Sequence, residues 1–231
     1  MNNTLSPKLI LFDCDGVLVD SELLSYRIYT EEFAQEGLHK TPEELLKIWS
    51  GFSLDAMIKA AEVSIKRPIS PHFKQRLNTH IFKAFLTELR PIAGIPHFLE
   101  QLKKHSITVC VVSNGEQDRV NSALITTKLD SFFPTPNRFN VSMVKNGKPA
   151  PDLLLLAAKT MGVTPNQCLV IDDSVTGINA AQAAQMPVVG FLAGAHAQAP
   201  WYQKRLYKTH APFFTHSTGD LCALLGDICK K

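Results

Sequence analysis

The sequence predicts an α/β fold: a parallel sheet covered by helices, with an all-helical subdomain inserted in it. Three observations carry this. Short apolar runs at 9–12, 107–112 and 168–171 have the length and composition of strands buried on both faces. Helical stretches follow them, and repeated strand–helix units imply a parallel sheet. Between the first two runs, residues 21–89 carry helical signals alone, and such a stretch between two sheet strands reads as a subdomain of its own.

The elements follow in order. Residues 8–17 form the first strand and the turn after it. The first helix runs from 22 to 36 and stops at Gly37. The next opens on Thr41-Pro42-Glu43-Glu44, a capping box with proline at the first helical position, and closes near Gly51. Ser53 is placed to N-cap a helix over 54–66, and Ser70-Pro71 starts a longer one reaching 89. The strand–helix pattern resumes at Arg90-Pro91. Gly94-Ile95-Pro96 opens a helix before the strand 107–112, and a helix spans 116–128. A short strand at 139–144, a helix at 150–161, a strand at 168–172, a helix at 175–185 and a strand at 188–192 follow. Residues 194–212 read as a long surface loop, and a last helix covers 219–228. The chain thus divides into a core, 1–19 and 91–231, and a helical insert, 20–90. Two crossings, at 17–20 and 89–94, join them and form a candidate hinge.

Composition narrows the class. The 231 residues are 45% hydrophobic and 19% charged, enough apolar content for a sizeable core. The net charge of +3 comes from scattered basic residues, which argues against a nucleic-acid or membrane-surface partner. Cys14, Cys110, Cys168, Cys222 and Cys229 form no Cys-x-x-Cys pair and read as buried thiols of a reducing compartment. With no signal segment and no apolar run near the ~20 residues that span a bilayer, the expected location is the cytoplasm.

The chemistry gathers at strand ends, where open parallel sheets bind ligands. Asp13 and Asp15 flank Cys14 at the end of the first strand, and Gly16 lets the backbone turn away. Two neighbouring carboxylates repel unless a cation sits between them, so a divalent metal, an acid/base pair, or a nucleophile beside an acid are all open. Asp-x-Asp also occurs as plain turn chemistry. Strand 107–112 runs into Ser113-Asn114-Gly115, Lys148 precedes the helix at 150, and strand 168–171 ends in Asp172-Asp173-Ser174. Acids with a lysine suit a complex of Mg²⁺ and phosphate.

In this order, Asp13-x-Asp15-Gly16-Val17, Ser113, Lys148 and Asp172-Asp173 resemble the four motifs of the haloacid dehalogenase superfamily. Val19-Asp20-Ser21-Glu22 and Gly147-Lys148-Pro149 are similar to its sugar-phosphate phosphatase branch, which includes β-phosphoglucomutase. The resemblance implies a Rossmann-like core, a helical cap and Mg²⁺. It implies Asp13 as nucleophile, Asp15 as acid/base, and Ser113, Asn114, Gly115 and Lys148 on phosphate. The metal set would be Asp13, Asp15 through its carbonyl, Asp173 directly and Asp172 through water, with an N-cap as the alternative for Asp172. Specificity would rest on the cap, with Glu22, Trp49, Gly51, Phe52 and Ser53 as candidates. Trp49 and Phe52 also suit a cap core. The implied substrate is a small-molecule phosphate ester, such as 6-phosphogluconate. At the positions where mutases carry histidine, lysine and arginine, this chain has Ser25, Ser50 and Leu54, which favours hydrolysis over isomerisation.

Overall fold

The computed structural model describes residues 5–226. Six parallel strands form one sheet in the order β3-β2-β1-β4-β5-β6, with β1 Leu9–Phe12, β2 Thr108–Ser113, β3 Arg138–Asn140, β4 Cys168–Asp172, β5 Val188–Phe191 and β6 Phe213–Thr215. The expected mixed α/β architecture is therefore the one observed. Every residue of β1 is fully buried. Side chains alternate along a strand, so Ile10, Phe12, Val111, Ile171 and Val189 pack into one layer. Leu9, Leu11, Cys110, Val170 and Val188 pack into the other. Phe12 meets Phe98 and Phe133 edge to face, at centroid distances of 6.2 and 6.1 Å.

Along the chain, four helices of the insert follow β1: α1 Glu22–Gln35, α2 Pro42–Trp49, α3 Leu54–Ile65 and α4 Phe73–Glu88. The capping box at Thr41 is present, and Ser53 caps α3 by accepting from the Ala56 N–H. Phe33 is the centre of the insert, with Trp49 at 5.0 Å and Phe73 at 4.6 Å. This apolar cluster is continuous with the Phe12 layer of the sheet. The two crossings pair with each other: Asp20 N–H donates to Arg90 O at 3.0 Å and Ile92 N–H to Leu18 O at 3.0 Å.

The remaining helices are α5 Ile95–Lys104, α6 Gln117–Thr126, α7 Asp152–Thr160, α8 Val175–Ala183, α9 Pro200–Tyr207 and α10 Thr218–Leu225. Two expectations fail. Residues 194–212 are not a surface loop. They form a 3₁₀ turn, Ala195–Gln198, and then α9, which bury His196, Ala197, Tyr202 and Leu206. The segment 139–144 is strand only at β3, because Val141–Met143 turns into a 3₁₀ helix that Asn140 caps. Cys14, Cys110 and Cys168 are buried free thiols, whereas Cys222 is disulfide-bonded, which corrects the reading of it as a thiol; Cys229 lies outside the described residues. Among the described residues, no helix is long and apolar enough to cross a membrane.

Candidate active site

Two strands deliver the acids. Asp13 leaves β1 with its N–H still bonded to Ile171 O of β4 (3.0 Å). Asp172 closes β4 and is wholly buried. Its Oδ1 accepts from Ser174 N–H (2.9 Å) and Ser174 Oγ–H (2.7 Å). Ser174 in turn caps α8 through the Gly177 N–H. The helix cap is thus Ser174, and Asp172 holds the capping residue. A methyl at Gly177 would overlap the Asp172 carboxylate, so glycine is required there.

Lys148 enters from the loop before α7. Asn114 fixes its backbone: the Asn114 amide donates to Lys148 O (2.8 Å) and accepts from Lys148 N–H (2.9 Å). The ammonium then donates to Asp13 Oδ1 at 2.8 Å and to Asp172 Oδ2 at 2.7 Å. Its side chain is only 3% exposed. Ser113, at the end of β2, is buried and accepts from the Gly115 N–H at 3.0 Å, so that amide is engaged within the turn. The Asn114 side chain thus serves to hold Lys148.

Ligand atoms of Asp13, Asp172 and Asp173 all lie within 4.8 Å of one another. Burial, and then the neighbouring carboxylates, push Asp13 and Asp173 well above the usual carboxylate range, against the opposing pull of Lys148. Asp15 behaves differently. Burial acts to raise it, but the Arg119 guanidinium, with help from the Ser21 hydroxyl, holds it below its ordinary value. Arg119 bonds both Asp15 oxygens, at 3.0 and 3.3 Å, and Ser25 Oγ at 3.1 Å, while lying 5.0 Å over the Phe85 ring. Four acids thus face two fixed cations, Lys148 and Arg119. The surplus of buried negative charge, with oxygen donors converging from two strand ends, fits a hard divalent cation such as Mg²⁺. Asp13 and Asp173 would ligate it directly. Asp172, already accepting three hydrogen bonds, would sit one layer out.

Gly16 makes this approach possible. Its φ of +78° is left-handed, and a methyl there would collide with Asp173 Oδ2 and come to 2.9 Å from the His196 ring. Gly16→Ala is expected to cost about 1–3 kcal/mol of stability and to shrink the Mg²⁺-induced rise in Tm, both read by thermal melting with and without the metal.

The insert contributes unevenly. Glu22 is half-buried, and burial raises its carboxyl to about 7 despite nearby His196. Gly51 (φ +86°) and Ser50 line a small cavity with Ser174, Thr176, Tyr202 and Arg205, so the α2–α3 turn lies over the start of α8. Arg205 donates to Ser50 O at 3.2 Å. Trp49 does not line the site. It is 4% exposed and stacked in the insert core, which corrects its reading as a substrate contact. Phe52 is exposed, and Ser53 is occupied in capping α3. Sequence reasoning missed Arg119, which carries no local motif, and His196, which falls in the stretch read as loop. Flanking Gly194 is the one local hint, since a methyl there would crowd the His196 ring.

Residues 10–191 match the family of haloacid dehalogenase-like hydrolases. The chain belongs to that family. Among relatives of these hydrolases, the 6-phosphogluconate phosphatase of Escherichia coli is 31% identical, over 87% of this chain and 90% of its own. A haloacid dehalogenase-like protein of unknown function from Agrobacterium tumefaciens is 28% identical with a TM-score of 0.83, covering 96% of this chain and 99% of its own. A haloacid dehalogenase family hydrolase from Deinococcus radiodurans, solved with bound phosphate and sodium, is also 28% identical, with a TM-score of 0.79 over 96% of both chains.

Proposed function

We propose that this hydrolase is a Mg²⁺-dependent phosphatase of small phosphorylated sugars or sugar acids, working through a phosphorylated Asp13. The observation that carries the reading is Lys148, a buried ammonium held between Asp13 and Asp172 beside Asp173. A lysine so placed pulls a carboxylate toward the ionised form that attack needs and offers a third N–H to a phosphoryl oxygen. When bound, Mg²⁺ would neutralise charge on both nucleophile and phosphoryl group.

In the first half-reaction a carboxylate oxygen of Asp13 attacks phosphorus, and the bond from phosphorus to the ester oxygen breaks. Asp15, protonated once substrate binding loosens its pairing with Arg119, gives the departing alkoxide its proton. In the second, water attacks the phosphorus of the aspartyl-phosphate while Asp15, now a carboxylate, takes the water's proton. The bond to Asp13 breaks, restoring the acid and releasing inorganic phosphate. Arg119 suits the second half-reaction, since it favours the ionised form of Asp15. Ser113 would bind a phosphoryl oxygen, and the helical insert would act as a cap that excludes water and selects substrate, with Glu22 and the turn at Gly51–Ser53 nearest the entrance.

The relative named 6-phosphogluconate phosphatase supports a sugar-acid phosphate as the first substrate to test. Hydrolysis is preferred to mutase chemistry because Ser25 is engaged by Arg119 and offers no second-phosphate grip. A panel of 6-phosphogluconate, hexose and pentose phosphates, phosphoglycolate, nucleotides and β-glucose 1-phosphate, assayed for phosphate release with Mg²⁺ and with EDTA, tests the reading. Metal-dependent release, strongest on one sugar phosphate, is expected. Conversion of β-glucose 1-phosphate to its 6-phosphate without release would replace it with a mutase.

A further inference from the structure

The turn after β5 brings a histidine to the acid cluster that the proposed reaction does not use. His196 is 1% exposed. Its Nε2 lies 2.7 Å from Asp173 Oδ2, yet neither ring nitrogen has an aligned hydrogen-bond partner among the described residues. A buried polar group left unpaired is costly, and such groups concentrate where a structure serves a ligand.

The ring is pinned from several sides. Tyr202 meets it edge to face, with centroids 4.8 Å apart and planes at 88°. Gly16 and Gly194 both come so close that a methyl on either would sit within 2.9 Å of a ring atom. The turn itself is tied to the hinge, since Ala195 N–H donates to Asp20 Oδ1 at 3.1 Å. Two glycines, an aromatic edge and a backbone tether aim one imidazole nitrogen at one carboxylate oxygen. Packing alone does not require a nitrogen at that place.

We propose that His196 is a positioning residue for Asp173: its Nε2, 2.7 Å from Oδ2, is placed so that with the cation bound its N–H would hold that oxygen and leave Oδ1 to face the metal. The inference rests on the Mg²⁺ reading above. A carboxylate anchored at one oxygen keeps its other oxygen on the metal without loss of rotational freedom, and outer partners of this kind typically change metal affinity by about 10–100-fold.

The test is calorimetric titration of the full chain with Mg²⁺ alone, for the wild type, His196→Phe and His196→Gln. Phenylalanine keeps the ring and its contact with Tyr202 but has no donor. Glutamine places an amide N–H near the position of Nε2. Mg²⁺ binding about 10–100-fold weaker in His196→Phe, with His196→Gln restoring most of the loss, is the expected result. Turnover of the phenylalanine variant should recover at high Mg²⁺ with the substrate KM unchanged. Wild-type Mg²⁺ affinity in a folded His196→Phe, or a glutamine variant as weak as the phenylalanine one, would overturn the proposal. Thermal melting without metal checks folding, and His196→Leu replaces the phenylalanine variant if that chain fails to fold. A wild type with no saturable Mg²⁺ response refutes the metal reading itself, a result distinct from failure of the positioning role.

Discussion

Asp13→Asn is expected to reduce phosphate release by a factor on the order of 10⁴ or more, the scale of losing a covalent nucleophile. An amide oxygen cannot form the aspartyl-phosphate at a useful rate, and the other acids stand in the wrong places to replace it. Asp172 is wholly buried and engaged by Lys148 and Ser174, and Asp15 is held by Arg119. The fold should survive. The substitution removes a charge that the folded protein holds unfavourably, because burial and the neighbouring carboxylates raise Asp13 above its ordinary value. A carboxyl whose folded pKa is raised stabilises the fold below its unfolded pKa, and that contribution is lost as pH rises through the folded value. The metal-free wild type should therefore lose stability from mildly acidic toward neutral pH, and Asp13→Asn should lose less. At pH 7 its metal-free Tm should equal or exceed that of the wild type. Mg²⁺ should still raise the Tm of the variant, though by less, since Asp173 remains and the asparagine keeps a carbonyl oxygen. Initial rates and melting curves across pH check both halves. Retained turnover in a folded Asp13→Asn protein would remove Asp13 as the nucleophile.

What could be read in advance, and what could not, follows from where information sits along the chain. β1, β2 and β4 were legible because the centre of a parallel sheet is buried on both faces, which demands runs such as Leu9-Ile10-Leu11-Phe12. β3 and β6 are three-residue edge strands: β3 was read with wrong bounds, as 139–144, and β6 was missed, because three residues make too short a run to recognise. α9 was hidden because its stretch begins among alanines and a proline, and its burial of Tyr202 and Leu206 comes from packing on the sheet rather than from local periodicity. The same divide runs through the site. Asp13, Lys148 and Asp172 stand at strand ends or beside them, positions the chain order announces. Arg119 meets Asp15 across 104 residues of sequence, and His196 meets Asp173 from a segment read as loop. Such partners are set by tertiary approach alone. Trp49 shows the converse case: an aromatic at a turn suited either a substrate contact or the cap core, and the space beside Phe33 decides for the core.

Lys148→Met is expected to damage stability and turnover together, which separates it from Asp13→Asn. The methionine fills much of the same volume, so packing around it changes little. The electrostatic change is large. Asp13 and Asp172 lose a partner at 2.8 and 2.7 Å in a site where Lys148 is only 3% exposed. Breaking a buried pair while leaving the carboxylates in place typically costs about 3–5 kcal/mol. Lys148 is the group that pulls Asp13 downward, so without it the raised Asp13 value climbs further. By the same linkage, the variant should approach the wild type at acidic pH, where the carboxyls are protonated in both, and fall away from it as pH rises. Lys148 is itself shifted upward by Asp13 and Asp172, so it stays charged through neutral pH, and the widening gap must come from the acids. Turnover should drop by a factor on the order of 10²–10³, comparable to losing one preorganised donor at a developing anion. Mg²⁺ should recover part of the lost stability by supplying positive charge to the same carboxylates, but not the turnover, because it cannot replace the N–H aimed at the phosphoryl oxygen. Chemical denaturation between pH 5 and 8, with and without Mg²⁺, measures the first effect, and steady-state rates measure the second. If Lys148→Met matched the wild type in stability at pH 8, the buried ammonium would not be what holds these acids together.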